Sequence, residues 1–344
     1  MIPVFFLSCL DTINIDLPND EAGRLVIDGL VERSPDIYRF VVNVSRTRDL
    51  NTEGIDNLES ATILLLYNGT PIFELVNGEE DTISIVAFHE QYGGNLEEAY
   101  FNIRVLTPDG NMFESESQKI LNSPKESSIK LSYEIRAELN DRENVVQRGY
   151  VKVGISTPII NQTGERVSFR WDVSGVYEFR EVAWTDDPFV NVKTCYVKDF
   201  LPGNKVNVLK SSEISGDYIT DFEIAALPGD HKFASGYYFT VVQKTLDEAA
   251  AIYWDRVRQS IDREGTIFDA PVGANNSNIQ QVSGDPVEVL GYFYTAGVDT
   301  LRHLSTREET GKQLHLCAYA TVSDACCDCL LLVNSSLSKP LYWQ

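Results

Sequence analysis

The feature that most limits the fold of this chain is a series of short β-branched and aromatic stretches separated by turn residues. One such stretch, 61–67, runs directly into Asn68-Gly69, a dipeptide that favours a two-residue hairpin. Stretches of this composition and spacing predict strands. The predicted fold class is therefore mainly β, with strands at 25–27, 38–44, 61–67, 71–76, 82–88, 99–106, 129–139, 149–155, 167–173, 176–182, 206–209, 217–224 and 237–243.

A polar segment at 122–128, which contains Pro124 and several serines, divides the predicted strands into two regions. Residues 22–122 have a strand spacing that suits an N-terminal immunoglobulin-like β-sandwich, without the internal Cys…Trp…Cys pattern of antibody domains. Residues 123–344 are predicted to form a larger β-sandwich domain that carries one amphipathic helix. Polar segments of this kind are typical of domain boundaries.

The predicted helix spans 246–264. Thr245 followed by Glu248 matches a capping box, and Gly265 is expected to end the helix. Tyr253 and its neighbour Trp254 are interpreted as packing anchors, with Tyr253 buried under the second sheet; an aromatic platform for a ligand is the alternative. Apolar residues recur at spacings of three and four, which defines one helical face: Leu246, Ala250, Tyr253, Val257 and Ile261.

The charge of the chain excludes several classes of partner. Lys and Arg number 29 and Asp and Glu number 51, so the net charge is −22. Nucleic acid is not expected as a partner, because phosphate contacts require a positive patch. Attraction to anionic lipid by charge alone is disfavoured for the same reason. The sequence also contains no apolar run of the ~18 residues that a membrane-spanning helix needs.

The first nine residues end in Phe6-Leu7-Ser8-Cys9, a sequence that resembles a bacterial lipobox. On this interpretation residues 1–8 are the remnant of a lipoprotein signal peptide, and Cys9 is the lipidated residue. Acyl chains contribute ~0.8 kcal/mol per buried CH₂, so an acylated Cys9 would anchor the chain in a lipid bilayer. Residues 9–21 would then form a polar tether. The alternative is a first strand that contains a cysteine by chance.

The other five cysteines are concentrated near the C-terminus, and in an exported protein they favour disulfides. We expect Cys195 to pair with one of the C-terminal cysteines; the connectivity is not fixed by sequence. A zinc site that includes His315 is the alternative, although the Cys-x₂-Cys spacing of structural zinc sites is missing. The disulfide candidates are Cys195, Cys317, Cys326, Cys327 and Cys329.

Motifs that carry chemistry were sought along the whole sequence. It contains no Gly-x-Ser-x-Gly elbow, P-loop, dinucleotide-binding glycine motif, His-Glu-x-x-His or EF-hand loop. The four histidines are scattered, and none is assigned as a general base. No catalytic, cofactor-binding or metal-binding residue is therefore predicted, and the chain is not expected to be an enzyme.

Several motifs in the C-terminal half carry a family resemblance. They are Tyr253-Trp254 on the helix, Phe268-Asp269 within 265–271, Gly291 within 289–293, Cys327-Asp328-Cys329, and Trp343 in the terminal segment. Together with Cys9 and its tether they resemble the Bacteroidota lipoprotein family catalogued as domain of unknown function 4249. Two departures are Leu330-Leu331-Leu332, where the family often has glycines, and the additional Cys317 and Cys326.

The resemblance implies a biological setting and no chemistry. Members of the family are outer-membrane lipoproteins associated with TonB-dependent receptors, so the expected function is that of an accessory binding lipoprotein in nutrient uptake. The implied partners are such a receptor and the bilayer, and the ligand is unknown. Two alternatives remain open: a surface hydrolase with a carboxylate-based site, and a structural or assembly lipoprotein without a small ligand.

Overall fold

The structure, a computed structural model, describes residues 23–48, 56–93, 98–140, 142–182, 192–201, 205–262, 277–318 and 323–343. Most of the elements in these residues are strands, so the predicted mainly-β fold is confirmed. The strands up to the polar segment are β1 (Leu25–Arg33), β2 (Ile37–Arg46), β3 (Asp56–Asn57), β4 (Thr62–Tyr67), β5 (Thr70–Leu75), β6 (Glu80–Ser84), β7 (Tyr100–Leu106), β8 (Met112–Ser115) and β9 (Gln118–Lys119).

The strands after the polar segment include the longest ones, of 11–14 residues. The strands of this part are β10 (Ser128–Leu139), β11 (Val145–Pro158), β12 (Ser168–Arg180), β13 (Thr194–Phe200), β14 (Asn207–Leu209), β15 (Tyr218–Pro228), β16 (Gly236–Leu246), β17 (Ile279–Ser283), β18 (Val289–Leu290), β19 (Phe293–Leu304) and β20 (Ser335–Ser336).

Two α-helices lie in the described residues, α1 (Ile85–Tyr92) and α2 (Glu248–Ile261). In that part of the chain, neither combines the length and the apolar composition that crossing a membrane would require. Short 3₁₀ turns occur at Ser211–Glu213, His231–Phe233, Leu316–Ala318, Asp324–Cys326 and Cys329–Leu331.

The described strands form three sheets. The large sheet has the order β20-β13-β12-β16-β19-β1-β2-β3, with β14, β18 and β6 paired at its sides. A second sheet has the order β17-β8-β7-β4-β5, with β9 beside β7, and a third has the order β10-β11-β15. Within the large sheet β1 runs parallel to β19, with Gly29 opposite Phe293. The expected domain boundary at residue 122 stays a prediction. Two of the three sheets contain strands from both sides of that residue.

One face of β1 and β2 packs against the second sheet and encloses the first core. Side chains alternate between the faces of a strand, so this face takes every second residue of β1 and β2. The fully buried rings there include Tyr38, Phe40, Phe101 and Phe293. The rings of Tyr38 and Phe88 lie 4.7 Å apart, so the core is held mainly by aromatic packing.

A second core lies between the third sheet and strands β12, β13 and β16 of the large sheet. Val151, Val153 and Ile155 of β11 face Phe169 and Trp171 of β12 in this core. Trp171 Nε1 donates a hydrogen bond to Gln243 Oε1 at 3.0 Å, so the one polar group of the buried indole is satisfied. The two cores together confirm the predicted β-sandwich character.

The prediction of a strand at 82–88 is wrong over its second half. Strand β6 ends at Ser84, and the Ser84 hydroxyl accepts a hydrogen bond from the Ala87 backbone N–H, which begins helix α1. Phe88 is then fully buried on the inner face of the helix. Serine is a strong N-cap residue, and this local signal overrides the β-branched composition of the segment.

Two stretches outside the predicted strand bounds are strand interior. Asp28-Gly29 lies within β1, because the missing side chain of Gly29 leaves room for Phe293: a Cβ there would lie 2.7 Å from Phe293 Cδ2. The expected strands at 167–173 and 176–182 are one continuous strand, β12, through Ser174 and Gly175. In both cases the glycine serves close packing of an aromatic ring and not chain reversal.

The predicted helix is present as α2, but the capping box is wrong. Thr245 and Leu246 belong to β16, and Asp247 is the N-cap, whose carboxylate accepts from the Ala250 backbone N–H at 2.7 Å. Glu248 instead accepts hydrogen bonds from Ser168 and Ser211. The expected end at Gly265 lies outside the described residues.

The expected disulfide between Cys195 and a C-terminal cysteine is confirmed. Cys195 pairs with Cys329, 134 positions further along the chain, with Cα atoms 5.9 Å apart, and Cys317 pairs with Cys326. Cys327 is exposed and unpaired. Cys317, Cys326 and Cys329, which the zinc alternative requires, are consumed by these bonds, and the described residues contain no group of three or more His, Cys, Asp and Glu side chains arranged around a metal position.

Candidate functional site: an aromatic cleft

A cleft of about 360 Å³ lies between helix α2 and the large sheet. Four aromatic side chains contribute to its wall, together with three aliphatic ones and two polar ones. We call it the aromatic cleft; its lining residues are Asp28, Gly29, Leu30, Val41, Asn43, Tyr253, Trp254, Val257, Tyr292 and Tyr294.

The floor of the aromatic cleft follows from strand alternation. On β1, Asp28 and Leu30 point away from the first core, and Asn43 and Val41 stand opposite them on β2. Tyr292 and Tyr294 flank Phe293 in the chain, so both tyrosines face the cleft while Phe293 faces the core. One short segment therefore supplies an aromatic ring to each side of the sheet.

Gly291 sets the position of Tyr292. Its φ of 93° lies in the left-handed region, and a Cβ there would lie 2.2 Å from the Ile27 carbonyl oxygen. Only glycine allows the chain to pass this close to β1. The Tyr292 backbone N–H then donates to Asp28 Oδ1 at 3.3 Å, across 264 positions of sequence.

The helix supplies the opposite wall. The rings of Tyr253 and Tyr292 are stacked with centroids 4.5 Å apart, and the Trp254 indole meets Tyr294 edge-on at 5.6 Å. The guanidinium of Arg170 lies 3.8 Å from the Trp254 ring centroid. Tyr253 and Trp254 pack against the large sheet, as expected of anchors, and also line the cleft. Tyr253, which was expected to be buried, is only half-buried, because it also borders the cleft.

Helix α2 is held in place by polar contacts on its underside. Asp255 is 4 % exposed, and its Oδ2 accepts from Lys210 Nζ at 2.8 Å. Arg258 and Gln259, on the same helix, also donate hydrogen bonds to this carboxylate. Desolvation raises the pKa of Asp255, but Lys210 and Arg258 more than offset it and keep the pKa below its ordinary value. The ion pair with Lys210 therefore ties the middle of the helix to the segment after β14.

Asp28 is the charged group of the aromatic cleft. Its side chain remains accessible, but the surrounding walls displace bulk water, and this desolvation raises the pKa of the carboxyl above its ordinary value. The hydrogen bond from Tyr292 opposes that shift. Within the described residues no cation contributes to the electrostatics of Asp28.

A buried charge cluster adjoins the cleft on the same sheet face. Lys244 Nζ lies 2.8 Å from Glu32 Oε1 and 3.0 Å from Asp172 Oδ2, and both Lys244 and Glu32 are almost fully buried. Arg39 also pairs with Glu32, and Arg170 pairs with Asp172. Each carboxylate of this cluster therefore faces a cation, in contrast to Asp28.

The other residues singled out by sequence lie elsewhere. Trp343 packs on Tyr196 and Tyr238, with ring centroids 5.2 and 5.5 Å away. The disulfide-bonded cysteines belong to the second core. Cys9, Phe268 and Asp269 lie outside the described residues. The structure thus brings Tyr253, Trp254 and the segment after Gly291 together, and separates them from Trp343 and the disulfide-bonded cysteines.

Sequence reasoning missed the sheet side of the cleft. Asp28, Leu30, Asn43 and Tyr294 were assigned no role. The one usable signal was the Tyr-Phe-Tyr alternation at 292–294, which places two tyrosines on the same face of any strand. No sequence signal indicates that β1 and β19 are neighbours, because their pairing joins residues far apart in the chain.

Comparison with known proteins places the chain in a family. No curated protein matches it. The model of the family described as Domain of unknown function (DUF4249) matches residues 11–302, which is most of the sequence and includes every element that forms the aromatic cleft. The chain therefore belongs to the family Domain of unknown function (DUF4249).

Proposed function

We propose that this protein is a non-catalytic binding lipoprotein of the outer membrane, that the aromatic cleft holds its ligand, and that it works as an accessory to a TonB-dependent receptor in nutrient uptake. The aromatic cleft is the observation that carries the proposal. Small-molecule sites are concave, largely apolar and aromatic, with a few polar groups that orient the ligand. The lining of Tyr253, Trp254, Tyr292 and Tyr294 around Asp28 and Asn43 has this composition.

The size and rigidity of the cleft support binding. A volume of about 360 Å³ falls in the range of roughly 300–1,000 Å³ typical of ligand pockets. Its walls are a helix fixed by buried ion pairs and a hydrogen-bonded sheet, so little conformational entropy is lost when a ligand enters. A preformed site of this kind suits capture of a small molecule.

The envelope setting of the proposal has separate support. Two disulfides among the described residues favour an oxidising compartment over the cytoplasm. The lipobox-like Phe6-Leu7-Ser8-Cys9 favours attachment through an acylated Cys9. The link to a TonB-dependent receptor rests on the family resemblance.

Ligand capture is tested by purifying the tagged protein from its native host and identifying by mass spectrometry the small molecules that denaturation releases. We expect one compound to accompany the parent protein and to be lost from Tyr253→Ala. Tyr218→Ala, at an exposed tyrosine outside the cleft, is the matched control and should retain it. Equal recovery from both variants would place binding elsewhere.

The envelope part is tested on the same preparation. We expect the N-terminal peptide to begin at an acylated Cys9 and a β-barrel receptor to co-purify from detergent-solubilised outer membranes. An unmodified Cys9 thiol would contradict the lipid anchor. Repeated recovery of the protein without any barrel would contradict the partnership, whatever the result for the ligand.

A further inference from the structure

We propose that the aromatic cleft selects an organic ammonium ion with an apolar body, held by the Asp28 carboxylate and the tyrosine faces. The inference rests on the proposed function, because it assigns a ligand class to the same cleft. It is carried by charge complementarity: the cleft offers, beside aromatic rings, an exposed carboxylate that no cation of the described residues neutralises.

Asp28 differs from the neighbouring carboxylates in its charge partners. Glu32 and Asp172, on the same sheet face, are neutralised by Lys244, Arg39 and Arg170. Among the described residues, Asp28 receives the backbone hydrogen bond from Tyr292 and has no cationic partner. The Asp28 side chain is exposed, so a ligand cation can reach it and form an ion pair.

The aromatic wall of the cleft is also suited to a cation. A cation within about 6 Å of an aromatic centroid is attracted by the negative face of the ring, and sites for quaternary ammonium groups are commonly built from such rings. The Arg170 guanidinium, 3.8 Å from the Trp254 centroid, already makes this contact on the same wall. The stacked pair of Tyr253 and Tyr292 stands beside Asp28, so a ligand cation can contact a ring and the carboxylate together.

The electrostatic surroundings of the cleft also favour a cation. Burial is the main cause that raises the pKa values of Tyr253 and Tyr292, and the charges of Asp28 and Asp247 add to these two shifts, so negative charge from two carboxylates reaches the tyrosine pair. The net charge of −22 attracts cations and repels anions at long range. Leu30, Val41 and Val257 line the remainder of the cleft and provide an apolar surface for the body of the ligand.

The test compares choline with 3,3-dimethylbutan-1-ol, its uncharged carbon isostere, by NMR or calorimetric titration of the full chain at pH 7. The two probes have nearly the same shape, so a difference in affinity measures the effect of the charge. We expect choline to bind at least about tenfold more tightly, a difference in keeping with a cation held by aromatic rings and one carboxylate.

Asp28→Asn should remove most of that preference. Asp36→Asn is the matched control, because it removes the same charge from an exposed position outside the cleft. Circular dichroism checks that both variants are folded. Equal affinities for the two probes, absence of choline binding at tens of millimolar, or an unchanged preference in Asp28→Asn would each overturn the inference. An uncharged compound released from the native protein would overturn it too, while leaving the proposed function standing.

Discussion

The two faces of strands β1, β2 and β19 are built from alternate residues of the same segments, yet they differ in almost every physical property. One face carries Phe40 and Phe293 into a closed core. The other carries Asp28 and Tyr294 to the aromatic cleft, with Glu32 in the charge cluster beside it. The first face is therefore filled by packed apolar side chains, whereas the second keeps charged and polar groups beside an open cleft.

The closed face shows how little tolerance a packed core has. Gly29 stands directly against Phe293, and a Cβ there would also lie 3.1 Å from Ile103 Cδ1. The cleft face has no equivalent constraint at Asp28, whose carboxylate would be better solvated in the unfolded chain. A residue that lowers stability at a concave aromatic surface is typical of a functional site. The following experiments test this contrast, beginning with the largest expected effect.

Phe293→Ala should lower the free energy of unfolding by about 3–5 kcal/mol, because it leaves a cavity in the closed face. Phe293 is fully buried, so the vacated space cannot be filled by water without exposing Ile103 and Phe101. Urea unfolding followed by fluorescence measures the change. A loss below about 1 kcal/mol would show that the second sheet collapses onto β1 easily and that the closed face is not tightly packed.

Lys244→Met should lower the free energy of unfolding by about 3 kcal/mol, because Glu32 Oε1 then loses its ion-pair partner in the interior. The expected loss of stability lies at the lower end of the range for broken buried ion pairs, because the Asp172 side chain is 44 % exposed and can be solvated. The double variant Lys244→Met with Glu32→Gln is the control and should recover part of the loss. Absence of recovery would show that Lys244 acts through packing alone.

Alkaline pH should destabilise the closed face between about pH 10 and 12. Burial raises the pKa of Tyr38 from 10.0 to about 12, so the unfolded chain ionises first and stability is lost as the pH rises through this interval. The expected loss is roughly 2–3 kcal/mol from this one residue. Tyr38→Phe should unfold at higher pH than the parent; an identical alkaline midpoint would contradict the assignment.

Gly29→Ala should lower the free energy of unfolding by about 1–3 kcal/mol, because the added methyl overlaps the Phe293 ring. Gly69→Ala is not a suitable control, since its φ of 78° adds backbone strain. Gly236 is suitable, as a Cβ there would meet its nearest atom at 3.5 Å. Thermal unfolding compares Gly29→Ala with Gly236→Ala. An equal loss of stability in both variants would show that Gly29 is not required for close packing.

Asp28→Asn should change stability least, with a free energy of unfolding equal to the parent or higher by less than about 1 kcal/mol at pH 7. The raised pKa means that the folded state disfavours the ionised carboxyl, so removing the charge does not weaken the fold. As the pH falls and the folded carboxyl takes up its proton, the difference from the parent should shrink. A clear loss of stability at pH 7 would make Asp28 a structural residue.

The sequence predicted most of the strands but not which strands are paired in the sheets. The hairpin at Asn68-Gly69 is present, because Asn68 and Gly69 both have the positive φ that this turn requires. Helix α1 was missed because its N-cap serine lies inside a β-like stretch. Half of the candidate site was recognised through Tyr253 and Trp254. The other half depends on Asp28 and Tyr292, which meet only in the folded chain.

By itself, the sequence determined the alternation of strands and turns, the presence of helix α2, and the pairing of Cys195 with the C-terminal cysteines. These follow from backbone sterics and side-chain periodicity within a few residues, or from the chemistry of cysteine. The parallel pairing of β1 with β19, and the face of each strand that is covered, follow only from the tertiary structure. Burial depends on what packs against a residue, so one alternating pattern gave a closed core on one side and an open aromatic cleft on the other.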